Sequence, residues 1–504
     1  MARYKHTEAE YGQGMFLTVN LQKQLLHGTF EYMLNDLIGG KIDVSMFDDN
    51  YKNDKTGSKA IPPSVLIKPI IYGYYKGVIS SRKLAGLGRE NITAKALTGD
   101  TEPHWTTIAN FISSNGERFQ DVFVNVLAYC GELGLVGGLT FALDGCRLPS
   151  NASMEMSGTK EELEKKLKYY RRMAEKHVAK HRKLDERGEG DKETERRFQK
   201  RRRHLSRQME KISGFLDGMV KKEGKQIEEI KSNITDNESA MIRDSSGFLQ
   251  GYIGIAVSDK RNQIIISAGA VGSANEGGHL PEVLDNTLDN MEKASLKTPE
   301  GETLTVLMDN NYYSEENIAA CQERGLEAII PDEQYKKRLG GDYEDRFEND
   351  DFTYHEDGDY YECPNGKRLK HKRSAVLKGR EYDEYISSSK DCNVCPLSEK
   401  CFRAKQRTGA ARGRRSLMIQ KNNSGGTLCR EMRRKLNTEE YQDKYAYRIQ
   451  IVEPVFSNIT YCKGLNRFTL RGKAKVNGQW KLYCIVHNLG KCLGGYNEKR
   501  KKTA

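Results

Sequence analysis

The run Leu139-Thr140-Phe141-Ala142-Leu143-Asp144 reads as a buried strand that stops on a carboxylate. Two further apolar runs end the same way, Leu304-Thr305-Val306-Leu307-Met308-Asp309 and Ile449-Gln450-Ile451-Val452-Glu453. An Asp, Asp, Glu series at strand ends suggests metal-dependent phosphoryl transfer. Two divalent cations held roughly 3.5–4 Å apart activate an attacking oxygen and stabilise a leaving one, hard cations take oxygen ligands, and side chains converge at the strand ends of an open sheet. Taken singly, each acid reads first as a solvated turn residue.

The chain has 504 residues with a formal net charge of +12, and its mean hydropathy is -0.74. That length supports two to four domains with real cores. No apolar stretch approaches the roughly 18 residues that cross a bilayer, and Met1-Ala2-Arg3-Tyr4-Lys5-His6 lacks a signal-peptide core. A cytoplasmic protein with no membrane partner is expected. The positive balance favours a polyanion, and nucleic acid fits best. Eleven cysteines in a reducing compartment read as candidate metal ligands where they cluster, not as disulfides.

From Ile61 to Arg118 the spacing predicts short helices. Pro62 and Pro63 suit a helix start, and Val65, Leu66, Ile70, Ile71 and Tyr74 make an apolar face. Further segments are predicted from Ser80, from Glu90 and around Thr106 to Phe111. With Arg82, Lys83, Arg89, His104 and Trp105 at their junctions, these helices read either as a helix-turn-helix DNA reader or as a bundle whose cations face water.

After Asp144, Thr159 and Glu162 form a capping-box pair. Leu163, Leu167, Tyr170 and Ala174, and then Phe198, Leu205, Met209 and Ile212, predict an αα-hairpin turning at 185–191. Its basic runs, Arg196-Arg197 and Lys200-Arg201-Arg202-Arg203, read as a solvated face or a DNA-backbone contact, and its narrow apolar stripe reads alternatively as a dimer seam. A β-hairpin over 247–271, a helix from Leu280 to Met291, the strand ending at Asp309 and a helix capped by Ser314 complete an α/β arrangement around a mixed sheet.

Between Pro331 and Gly425 regular structure fades. Cys392-Asn393-Val394-Cys395 has knuckle spacing, and with Cys363 and Cys401 it would complete a four-thiolate structural zinc site; inert buried thiols and a redox pair are the alternatives. Arg403, Lys405, Arg407, Arg412, Arg414 and Arg415 follow as a basic stripe suited to phosphate contact.

Several of these residues resemble one family. Ile61-Pro62-Pro63-Ser64-Val65-Leu66-Ile67-Lys68, Tyr72-Gly73-Tyr74, Ser80 to Leu84, Glu90-Asn91-Ile92 and Thr106 to Phe111 are similar to the N-terminal domain of DDE-type bacterial insertion-sequence transposases. Asp144 to Ser153, Ile234 to Ser239, Gly251-Tyr252, Asp309, Tyr313 to Asn317, Tyr445, Arg448, Val452-Glu453-Pro454-Val455-Phe456, Arg471-Gly472 and His487-Asn488-Leu489 continue the likeness in order.

The resemblance implies an α/β protein. Its expected parts are an N-terminal helical DNA-binding domain over 1–130, an RNase H-like mixed-sheet catalytic domain over 131–158, 231–335 and 431–504, a basic αα-hairpin insertion over 159–230, and an irregular Cys- and Arg-rich insertion over 336–430. It further implies that Asp144, Asp309 and Glu453 bind two Mg²⁺ or Mn²⁺ ions, and that the protein binds the terminal inverted repeats of its element, cuts double-stranded DNA and joins the end to a target, acting as a homodimer associated with the nucleoid. A co-opted DNA-binding protein and a nuclease without strand transfer are the alternatives. Tyr445 and Arg448 match the Tyr and Arg preceding the family's Glu, where Arg can grip a phosphate bidentately. Thr460 stands where relatives have Lys, with Lys463 nearby as a DNA contact; Asn310 and Asn311 replace a usual Gly after Asp309, and Ser457 another.

Overall fold

In a computed structural model the described residues are 18–51, 59–187, 191–218, 231–244, 247–340, 347, 349–377, 380–402, 413–420 and 427–503. The N-terminal part is six helices: α1 (Phe30–Leu37), α2 (Pro63–Tyr75), α3 (Ser81–Glu90), α4 (Ile92–Thr98), α5 (Trp105–Ser114) and α6 (Phe119–Glu132). Their starts follow local chemistry. Thr29 and Asn91 accept from the amides of Tyr32 and Ala94, and Pro63 opens α2 where a missing amide hydrogen costs nothing. Gly99, at φ 60°, ends α4 in the left-handed conformation a side chain would resist.

The body is built on strands β1 (Thr140–Pro149), β4 (Ala240–Asp244), β5 (Gly247–Asp259), β6 (Ile265–Val271), β7 (Thr305–Leu307) and β8 (Glu327–Ile329), with a small side pair β2 (Ser157–Gly158) and β3 (Ser232–Asn233). β6 lies beside β5, β5 pairs antiparallel with β1, and β1, β7 and β8 run parallel. β4 also pairs antiparallel with β5, so four antiparallel strands continued by two parallel ones form a six-stranded mixed sheet consistent with an RNase H-like domain. α7 (Lys160–Glu186) and α8 (Lys192–Asp217) form the expected hairpin, started by the Thr159–Glu162 capping box. Its apolar stripe is consumed within the hairpin, where Leu163, Leu167 and Ile212 pack together, and the basic runs face outward. α9 (Leu280–Lys293), α10 (Glu315–Glu323), capped by Ser314, and α11 (Tyr335–Leu339) complete this part.

The stretch expected to be irregular holds a five-stranded antiparallel sheet: β9 (Thr353–His355), β10 (Tyr360–Glu362), β11 (Arg368–Leu377), β12 (Arg380–Ile386) and β13 (Ser416–Gln420), with short helices α12 (Ser389–Asn393) and α13 (Ser398–Cys401). These strands carry charges on both faces, so they show none of the hydrophobic alternation that marks a strand. Pairing is held instead by cross-strand contacts such as Arg373 Nε to Glu384 at 2.7 Å.

Helices α14 (Thr427–Leu436), α15 (Glu439–Ser457) and α16 (Lys473–Thr503) close the fold. The run Ile449 to Glu453, expected to be a strand, is the middle of α15. Three apolar residues in a run of five hid the longer pattern, in which Tyr441, Tyr445, Val452, Val455 and Ile459 recur at helical spacing against the core. α16 protects the edge of β6: Asn477 and Asn488 each bond both the amide and the carbonyl of one strand residue, Ala270 at 2.6 and 3.0 Å and Ile265 at 2.9 and 2.9 Å. Trp480 lies over Gly254, where any Cβ would stand 3.0 Å from its ring, and donates to Ile255 O at 2.9 Å. One apolar core runs from Leu25 through the sheet to Tyr496, so the N-terminal helices and the body share a single interior.

Candidate active site

Asp144 and Asp309 meet where β1 and β7 part. The parallel ladder ends at Ala142 opposite Leu307, and two residues further along each chain, on the same parity, stand the two carboxylates. β1 itself runs on to Pro149, so Asp144 is within a strand that has lost one neighbour. Gly145 N donates to Asp144 Oδ1 at 2.8 Å and Arg448 Nη2 pairs with Oδ2 at 2.8 Å. Burial raises the Asp144 pKa, Arg448 opposes the rise and Asp309 adds to it. Asp309 caps the turn after β7: its Oδ1 accepts from Asn311 N at 2.9 Å and its Oδ2 from Asn311 Nδ2 at 3.0 Å.

Around this pair lie groups absent from the sequence reading. Glu276, in the loop after β6, is buried and its carboxyl is pushed up to about 7, first by burial and then by Asp309 and Asp144. Its Oε1 accepts from Asn311 Nδ2 at 2.8 Å, the same nitrogen that holds Asp309. Tyr312 is fully buried, with its pKa raised by burial and by the charges of Glu276, Asp144 and Asp309. Glu276 Oε2, Tyr312 Oη and Arg448 Nε are buried without a hydrogen-bond partner. An acid in Ser273-Ala274-Asn275-Glu276-Gly277-Gly278 reads as a turn residue, and only its position after a strand of the same sheet could have drawn attention to it.

The third expected carboxylate, Glu453, is exposed on α15, the helix that carries Arg448 and Tyr445. Tyr445 borders the acidic pair, and burial pushes its hydroxyl up to about 12. Thr460 bonds its own helix at Phe456 O, 2.8 Å away. Lys463 is buried, with its Nζ 3.3 Å from Tyr75 O and above the Tyr75 ring, which ties the end of α15 to α2. Arg82 and Lys83 are exposed on α3, and the Arg82 guanidinium stacks on Trp105. Among the described residues no group of three or more His, Cys, Asp or Glu is drawn close enough to hold a metal ion.

Cys363, Cys392, Cys395 and Cys401 nevertheless line one cavity of about 20 Å³ in the insertion. The Cys401 thiol is pushed up to about 11, mainly by burial, with the other three adding to the rise. Cys363 sits at the β10–β11 turn, where Lys367 N donates to its sulfur at 3.4 Å. Arg415 points inward, donating to the carbonyls of Cys401 at 3.2 Å and Phe347 at 2.7 Å, and Arg414 reaches Ser389. Arg403, Lys405, Arg407 and Arg412 lie outside the described residues.

The mixed sheet with paired acids at the edge of its parallel half defines an RNase H-like protein with an acidic site. Residues 362–493 match the model of the transposase DDE domain, and residues 19–114 match that of a transposase domain (DUF772). Matches to two transposase domain models, one towards each end, support a DDE-type insertion-sequence transposase. The DDE match takes in the cysteine insertion, Arg448 and Glu453. No curated protein and no solved structure matches the chain. Among the described residues no helix is long and apolar enough to cross a membrane.

Proposed function

We propose that this transposase binds the terminal inverted repeats of its element, cuts DNA there and joins the freed 3′ end to a target, using Asp144, Asp309 and Glu453. The observation that carries this reading is the meeting of Asp144 and Asp309 at the parting of β1 and β7, ringed by buried polar atoms without partners. Water attacks the phosphodiester and releases a 3′-hydroxyl; that hydroxyl attacks a target phosphodiester, so one bond is made for each one broken.

The donor set fits Mg²⁺ or Mn²⁺, since it is made of hard carboxylate oxygens with an excess of negative charge. Two such ions, when bound, supply Lewis-acid activation and charge stabilisation. Asp144 and Asp309 hold the floor of the site, and Glu453, exposed on α15, is the third acid of the set. Arg448, paired with Asp144, is placed to take a phosphate oxygen, and Tyr445 closes that side. Exposed Arg82 and Lys83 and the basic face of α8 contact the DNA backbone. The working unit on DNA is a homodimer, and the protein acts in the cytoplasm on the nucleoid.

Cys363, Cys392, Cys395 and Cys401 line one small cavity but are not drawn together closely enough to hold an ion as they stand, and would have to close further to form a four-thiolate structural zinc site.

Purified protein with Mg²⁺ and its own element ends tests the reading. Wild type should cleave and join, and Asp309→Ala should bind the ends without cleaving them; equal cleavage by both overturns the assignment. A second reading, a co-opted DNA-binding protein, is favoured by the inward turn of Lys463 and by Thr460 in the place of the usual Lys. Salt-dependent binding by a wild type that never cleaves would establish it.

A further inference from the structure

Glu276 is 5 % exposed. One oxygen is spoken for: Oε1 accepts from Asn311 Nδ2 at 2.8 Å. The other, Oε2, has no partner. A buried carboxylate oxygen left unpaired is costly, and native structures seldom keep one without a use for it.

Its direction indicates the use. A Cβ on Gly145 would stand 2.1 Å from Glu276 Oε2, so that oxygen is packed on the backbone directly after Asp144. Any side chain at 145 would expel it, which explains a glycine inside β1. From the other side, Asn311 bonds Glu276 and Asp309 through one nitrogen, so the two acids are fastened to a common clasp. A second observation points to the same place. Tyr312, fully buried on the same turn as Asn311, keeps its hydroxyl unpartnered among the charges of Glu276, Asp144 and Asp309. Two unsatisfied buried groups beside one acidic pair mark a site built for a polar or cationic occupant.

We propose that Glu276 is a further catalytic-site carboxylate: the three acids do not form a ready-made metal site, and on closing about a divalent cation Glu276 would offer it an oxygen beside Asp144 and Asp309, with Asn311 positioning Glu276 against Asp309. The inference rests on the reading of Asp144 and Asp309 as metal ligands. It also gives a purpose to the asparagine that stands where relatives carry a small residue.

The test is a calorimetric titration of full-length protein with Mn²⁺, without DNA, on wild type, Asp309→Asn, Glu276→Gln and Asn311→Ala, each checked for a native circular-dichroism spectrum and melting curve. Wild type should bind Mn²⁺, Asp309→Asn should lose most of that binding, Glu276→Gln should weaken it by about 10–100-fold, and Asn311→Ala should fall between wild type and Glu276→Gln. Wild-type affinity in Glu276→Gln, alongside a loss in Asp309→Asn, makes Glu276 a purely structural acid and overturns the proposal alone. Absence of Mn²⁺ binding by wild type, or indifference to Asp309→Asn, overturns the underlying reading and the proposal with it. If Glu276→Gln does not fold, Glu276→Asp replaces it; the shortened carboxylate should weaken Mn²⁺ binding measurably, and unchanged affinity again rejects the role.

Discussion

The body and the cysteine insertion are both sheets, but they are held together by different forces. In the body, β5, β6, α6 and α16 bury a continuous apolar interior around Trp480, Tyr483 and Phe141. The insertion has, among its described residues, one small buried cluster formed by Phe352, Leu369, Tyr385 and Leu417. Its remaining cohesion comes from ion pairs on Glu384, a tyrosine cluster with Tyr361 and Tyr385 at 4.8 Å, and the Tyr385 hydroxyl on Asp359 at 2.6 Å. A core of four side chains is too small to stabilise five strands alone, and small units of this kind commonly depend on a staple. The cysteines stand where one would act.

The contrast is broken or sharpened by measurement. The largest effect is expected at Trp480→Ala, which empties the centre of the body and removes the bond to Ile255; the urea midpoint should fall by about 3–5 kcal/mol of stability, and a change under 1 kcal/mol would mean that α16 does not anchor the sheet. Next comes acid. Burial depresses His487 from 6.5 to about 4, so the unfolded chain takes up the proton first as pH falls. Its contribution is intact above pH 6.5 and is lost between 6.5 and about 4, a loss of roughly 3 kcal/mol at most. His487→Gln should therefore give a flatter stability profile across that window, and an equally steep one would show that other groups govern it.

Asn477→Ala should be milder. It leaves the amide and carbonyl of Ala270 unpaired beneath α16, at a cost of about 1–3 kcal/mol, and faster hydrogen exchange at Ala270 should accompany the loss. The smallest effect on global unfolding belongs to the insertion. Leu369→Ala, Cys392→Ser or a zinc chelator should leave the main transition in place while speeding proteolysis within 353–420; if the four thiolates hold zinc as proposed, elemental analysis should find one per chain in wild type and none in Cys392→Ser. A shift of the main transition with any of the three would show that body and insertion unfold as one unit.

Much of the body is visible in the primary structure because its signals are local. The capping box at Thr159 and Glu162, the Ser314 cap, the 247–271 hairpin and the apolar stripes of α7 and α8 depend on residues a few positions apart, and all form as expected. Two readings failed where that locality failed. The insertion strands carry charge on both faces and so have no apolar period, and Ile449 to Val452 are helical because of residues well outside that run. The candidate site divides in the same way. Asp144 and Asp309 stood out because each closes an apolar run. Glu276 is flanked by glycine and asparagine and looks like any turn acid until the sheet brings its loop to Gly145.

The sequence alone determined α2 to α5, the hairpin helices α7 and α8, α9 and the capped α10, the basic balance and the family likeness, since propensity, patterning and charge act over one or two turns of chain. Only the tertiary structure decided which carboxylates share a site, that Lys463 and Arg415 turn inward, and that one core joins the N-terminal helices to the sheet. Those outcomes depend on contacts between residues hundreds of positions apart, and the energy of a buried charge is set by whatever packing places beside it.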